Sequence, residues 1–258
     1  MERPVAFVTG SGRGIGAGIA VEMAKAGYDI VIHYARSADG AHETKTLAEH
    51  EGARGVIVQG DITNLDEIDT MFGDALAAFG RIDVLVNNSG ITRFAPFLEV
   101  TPAMFQELTD TDWRGAFFSA QRAAKSMIER GIRGTIINIT SNHQTGCWPV
   151  ASVYGPTKAA LNKFTQNAAM ELAEHGIRMV SIAPGYTDSR KNRPMTPEMI
   201  EWRNACVARI PLHRYCEPWE VGRACVFLAG EGAGYITGTC LVMDGGALLP
   251  CVPENTYI

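Results

Sequence analysis

The sequence predicts an α/β protein: one domain on an open, doubly wound parallel sheet with helices on both faces. Three observations predict it. Short, β-branched apolar runs alternate with amphipathic stretches along the chain, and that alternation implies right-handed crossovers. A glycine-rich turn follows the first apolar run. No linker, low-complexity tract or repeat divides the 258 residues, a length sufficient for one well-filled core.

The first run, "VAFVTG" (5–10), is followed by "YDIVIHY" (28–34), "GVIVQG" (55–60), "IDVLVNN" (82–88), "GTIINIT" (134–140), "IRMVSIA" (177–183) and "TCLVMDGG" (239–246). Most are apolar on both faces, as strands of a parallel sheet covered on each side must be. Between them lie "GIAVEMAKAG", "NLDEIDTMFGDALAAFG" and "KAALNKFTQNAAMELAEHG", each ending at a glycine that can terminate a helix without steric cost. From Tyr186 to about residue 217 the rhythm breaks. "YTDSRKNRPMTPEMIEWRNACVARIPLHRYCE" contains no strand, and so long an insertion after a strand's carboxyl end predicts a substrate lid.

Composition excludes several classes. A net charge of −5 without a basic block argues against a nucleic-acid partner. The start, "MERPVAFVTG", does not read as a signal peptide, and no apolar run approaches the ~20 residues of a membrane span. Cys147, Cys206, Cys216, Cys225, Cys240 and Cys251 form no close pairs and read as buried free thiols of a cytoplasmic protein. No metal is expected: "HETKT" at His42 lacks the second histidine of a zinc-binding helix.

The glycine turn is "TGSGRGIG" (9–16). Gly10, Gly14 and Gly16, with Arg13 and Ile15, would bring backbone N–H groups to a pyrophosphate at the positive end of the following helix. The second strand ends "HYARS". An acidic residue there would accept hydrogen bonds from an unmodified adenosine ribose, but Tyr34, Ala35, Arg36 and Ser37 supply no carboxylate. Arg36 and Arg13 instead suit a 2′-phosphate, which favours NADP(H) over NAD(H).

One stretch asks for chemistry: "TSNHQTGCWPVASVYGPTK" (140–158). Tyr154 and Lys158 stand four apart and share a helix face, with Ser141 upstream. Taken in order with "TGSGRGIG", "NNSG" (87–90) and "PGYTDS" (184–189), these residues make the chain resemble the short-chain dehydrogenase/reductase family over about 5–246. The resemblance implies a Rossmann-type domain of about seven strands, assembled as a homotetramer. Helices over 112–130 and 154–174 would pair across an interface, and the apolar tail after Asp244 would meet a neighbouring subunit. It also implies that Asp61 and Ile62 hold the adenine, that Asn88, Ser89 and Gly90 line the adenosine ribose, and that Pro184, Gly185, Thr187 and Ser189 meet the nicotinamide.

A free tyrosine, with a pKa near ~10, is a poor base at neutral pH. Lys158, with the positive nicotinamide of the oxidised cofactor, would favour the phenolate of Tyr154. Tyr154 would then take a proton from a substrate hydroxyl as hydride leaves, and Ser141 would stabilise charge on the same oxygen. Lys158 would also hold the nicotinamide ribose. "LTDTDWRGAF" (108–117) departs from the family pattern. Asp112 stands where an asparagine completes the catalytic set, which removes an N–H donor and adds negative charge beside Lys158.

For the substrate, "SNHQTGCWP" is similar to the corresponding stretch of bacterial glucose 1-dehydrogenases, which implies a sugar (aldose) dehydrogenase. Thr92 and His143 would bond sugar hydroxyls and Trp148 would offer a flat face to a pyranose. Arg93 and Tyr186 stand with them on the substrate side. Arg190, with Lys191 and Arg193 beside it, would favour an anionic substrate if turned inward. Two alternatives stay open: a 3-oxoacyl-thioester or general ketone reductase, and a non-catalytic NADP-binding sensor or subunit, to which Asp112 alone points.

Overall fold

The apolar runs bury both faces and therefore pair side by side. Val5–Val8 (β1), Asp29–Tyr34 (β2), Gly55–Gln59 (β3), Val84–Asn87 (β4), Thr135–Ile139 (β5), Arg178–Pro184 (β6) and Cys240–Met243 (β7) form a parallel seven-stranded sheet. The structure, a computed structural model, describes residues 3–189 and 194–249. Strand order is β3-β2-β1-β4-β5-β6-β7. The order reverses between β1 and β4, so the crossovers on either side diverge and open a crevice beyond the carboxyl ends of those strands.

Helices Gly14–Lys25 (α1), Ala38–His50 (α2), Leu65–Phe79 (α3), Pro102–Thr109 (α4), Gly115–Glu129 (α5), Tyr154–Leu172 (α6), Pro197–Val207 (α7) and Pro218–Ala229 (α8) connect and cover the strands. Alternation along each strand divides the core in two. Ala6 and Val8 pack with Ile19 and Met23 of α1 and Val221 and Leu228 of α8. Val5 and Phe7 face Ile68, Met71 and Phe72 of α3 and Met127 of α5. Full burial of Phe7 or Leu85 is worth ~1.5–3 kcal/mol each.

Several boundaries differ from expectation, each for a local reason. β1 ends at Val8 because Gly10, at φ 64°, turns the chain into the glycine loop. β7 ends at Met243, ahead of Gly245 and Gly246 at φ 65° and 87°, and lies half-exposed at the sheet edge rather than covered on both faces. The helix expected over 112–130 opens with a π turn, Asp110–Arg114, before α5. The one expected over 154–174 ends at Leu172 and closes through a 3-10 turn, Ala173–His175. Among its described residues the 186–217 segment contains α7 and no strand, and a bridge between Thr187 and Cys216 ties its ends together. Cys147 is exposed, unlike the buried Cys206 and Cys225. Among the described residues, no helix is long and apolar enough to cross a membrane.

Candidate active site

The crevice is a groove of about 1190 Å3. Gly10, Arg13, Gly14, Ile15 and Gly16 line one end of it, as the turn predicted. Close packing explains the glycines: a Cβ on Gly16 would stand 2.4 Å from the Gly10 carbonyl oxygen and 2.5 Å from Asn88 Nδ2. α1 begins with no side-chain cap and no acidic residue in its first turn, so its amino-terminal N–H groups remain free to receive an anion. Cradle and donors together fit the pyrophosphate of a dinucleotide.

The loop is held by residues that the sequence did not single out. His33, buried at the end of β2, takes the Gly10 N–H on Nδ1 at 2.9 Å and donates from Nε2 to the Gly60 carbonyl at 2.8 Å. That geometry requires the neutral imidazole, and burial pushes its pKa down. Gly40 of α2 leaves room for the loop, since a Cβ there would meet the Gly12 carbonyl oxygen at 2.0 Å. Asn88 spends its side-chain amide on the carbonyls of Thr9 and Gly10, so it braces the loop as well as lining the groove beside Ser89 and Gly90.

Tyr34, Arg36, Ser37, Asp61 and Ile62, expected at the adenosine, line the same groove. Asp61 accepts the N–H and hydroxyl of Thr63. Asp39, in the first turn of α2, lines the same groove and supplies the carboxylate that the strand end lacks. Of the turn expected at the nicotinamide, Ser189 borders the groove, but Pro184, Gly185 and Thr187 do not.

At the far end of the groove Tyr154 and Lys158 share one face of α6. Lys158 Nζ lies 5.7 Å from the Tyr154 ring centroid, donates to the Ile139 carbonyl at 3.4 Å and meets Asp112 Oδ2 at 3.1 Å. The Asp112 contact is out of line for a hydrogen bond and is ionic. Both side chains are buried. Burial disfavours the ammonium, yet the charge of the Asp112 carboxylate outweighs it and holds Lys158 above the ordinary lysine range. A buried polar chain positions α6 from behind: Asn87 donates to Asn138, and Asn138 to Thr165. Ser141 is buried and does not line the groove, unlike its neighbours Ile139 and Thr140, and its hydroxyl accepts the His143 N–H at 3.2 Å.

Thr92 and Arg93 line the groove beside Tyr154, and Arg93 pairs with Glu107 of α4 at 3.5 Å. His143 and Trp148 are behind its rim, stacked at 3.8 Å, so the imidazole occupies one face of the indole that was expected to meet a sugar. His143 lies 5.2 Å from Tyr154, and its buried Nδ1 has no hydrogen-bond partner among the described residues. Burial lowers its pKa and keeps it neutral. Tyr186 stacks on Tyr215, at the other end of the 186–217 segment, instead of lining the groove. Arg190, Lys191 and Arg193 lie outside the described residues.

A family model described as Enoyl-(Acyl carrier protein) reductase matches residues 10–247. The chain is 34% identical to glucose 1-dehydrogenase 2 of Bacillus subtilis, covering 95% of this chain and 94% of the relative. It is 36% identical to L-rhamnose 1-dehydrogenase (NAD(P)(+)) of Azotobacter vinelandii, covering 93% and 94%. The solved structure of acetoin dehydrogenase from Enterobacter cloacae superposes with a TM-score of 0.88 at 33% identity, covering 98% and 99%. The chain belongs to the short-chain dehydrogenase/reductase family. It is an oxidoreductase acting on CH–OH groups with a nicotinamide cofactor and a small-molecule substrate.

Proposed function

We propose that the protein is an NADP(H)-preferring dehydrogenase of aldoses, with Tyr154 exchanging the proton of the reacting hydroxyl. The observation that carries the chemistry is the placement of Tyr154 and Lys158 on one helix face at the end of the groove that the glycine cradle opens. The nicotinamide, when bound, supplies or takes up the hydride. Tyr154 passes the proton, Lys158 orients the phenol and the nicotinamide ribose, and Ser141 steadies charge on the substrate oxygen. The neutral His143, 5.2 Å from Tyr154, would accept a sugar hydroxyl only if its buried Nδ1 turned toward the groove. Two sugar 1-dehydrogenases among the relatives support the aldose reading. Arg36 and Arg13 on the groove wall support NADP(H), against the opposing charge of Asp39. The segment 186–217 serves as the lid of a single domain, and the family resemblance favours a homotetramer.

An acyl-thioester reductase is the second reading, favoured by the description of the family model and by Arg93 at the groove mouth. Reduced-nicotinamide formation with NADP⁺ and NAD⁺ across aldoses, acidic sugars and polyols separates the two, with NADPH and a β-ketoester run in reverse. Aldose turnover with NADP⁺ is expected, and Arg36→Ala should raise the KM for NADP⁺ by about tenfold while leaving NAD⁺ little changed. Turnover of the ketoester alone would discard the aldose reading.

A further inference from the structure

Burying an ammonium removes its hydration, so a lysine with 4% exposure needs a counter-charge. Asp112 supplies it through a built arrangement. The π turn carries the carboxylate toward α6, where Oδ1 accepts the Ile91 N–H at 2.7 Å and Oδ2 faces Lys158 at 3.1 Å. A Cβ on Gly90 would stand 3.2 Å from Lys158 Nζ and 3.3 Å from each carboxylate oxygen, so the glycine leaves room for the pair.

The other ionisable groups around the phenol come from three neighbouring segments. His143, in the turn after β5, is neutral through burial. Arg93, in the loop after β4, is offset by Glu107 of α4. Asp110 is hydrogen-bonded to Gln106 at the start of the π turn. The charge that meets Lys158 is therefore that of Asp112.

We infer that Asp112 is a positioning residue that holds Lys158 as an ammonium and cancels its charge, so that at neutral pH Tyr154 is set to donate a proton rather than accept one. Oxidation of an alcohol, which needs Tyr154 as acceptor, then gains rate toward alkaline pH, and carbonyl reduction does not. The raised pKa of Lys158, which Asp112 sustains against burial, agrees with this. The inference rests on the Tyr154–Lys158 reading above.

The test begins without nucleotide or substrate, so that its failure is distinct from failure of the dehydrogenase reading. In ¹³C-lysine-labelled protein, the Lys158 ¹³Cε resonance, assigned by its absence from Lys158→Met, is followed against pH. In the parent protein it should hold its ammonium position beyond the ordinary lysine range. Asp112→Asn should bring its midpoint down by at least about one pH unit, because burial then acts alone. Below that new midpoint the charge on Lys158 is uncompensated and favours the phenolate, so the pH at which oxidative kcat reaches half its alkaline maximum should fall by about one unit. Asp112→Ser is read in the same way should the asparagine variant not fold. An unchanged Lys158 midpoint overturns the inference, and so does an unchanged pH profile of oxidative kcat.

Discussion

Adding a methyl group at Gly90 would press on three charged atoms at once, and the Lys158–Asp112 pair would have to move by a few tenths of an ångström. Gly90 carries no positive φ, so the demand for glycine comes from space and not from its own backbone. Gly90→Ala should therefore lower turnover by about tenfold, since small displacements of reacting groups cost rate steeply. Its melting temperature should stay close to that of the parent protein, because neither apolar cluster is touched. Steady-state rates and a thermal melt check both halves, and a variant with full activity would mean that the pair does not position Tyr154. Arg36 was legible at the end of the second strand and Tyr154 and Lys158 from their spacing, whereas Asp61 came only from the family resemblance. Asp39 was not legible, because it lies beyond the end of β2, in the first turn of α2, and only the folded chain brings it to the groove.

The elements around the glycine loop depend on one imidazole. His33 joins the loop after β1 to the end of β3 through bonds that only its neutral form can make at both nitrogens. Burial lowers its folded pKa, so the unfolded chain binds the proton more readily. This contribution to stability is present above the ordinary histidine range, near ~6.5, and is lost as pH falls below it. Denaturant unfolding at pH 7.5 and 5.5 should show that loss. His33→Leu, which leaves the Gly10 N–H and Gly60 carbonyl unpaired, should cost ~1–3 kcal/mol at pH 7.5 and show a shallower acid decline. An equally steep decline in the variant would assign the pH dependence elsewhere. A polar residue inside "YDIVIHY" was the available signal for this role, but only the pairing of β2 with its neighbours reveals both partners. The π turn left no such signal, because one extra residue in a helical turn barely alters apolar spacing.

At the scale of the whole molecule, the residues of the candidate site come from segments far apart in the chain. Gly90 follows β4, Asp112 sits in the π turn, Ser141 follows β5, and Tyr154 and Lys158 open α6. The parallel sheet brings these ends together because every strand delivers its carboxyl end to the same side. Sequence order therefore made the strand count and the fold class readable, whereas groove-facing direction had to come from the folded chain. Thr187 and Tyr186 illustrate the limit: both follow β6 as expected, yet one is drawn into a bridge with Cys216 and the other onto Tyr215. The most direct test of the assembled site is reduced-nicotinamide formation by the parent protein and by Tyr154→Phe, using the substrate and cofactor that give the highest rate. Binding of the same cofactor is measured in parallel by fluorescence. The phenylalanine variant should bind as tightly as the parent and turn over at least about 10²-fold more slowly, the loss expected of a proton donor and acceptor. Undiminished turnover with intact binding would contradict the account.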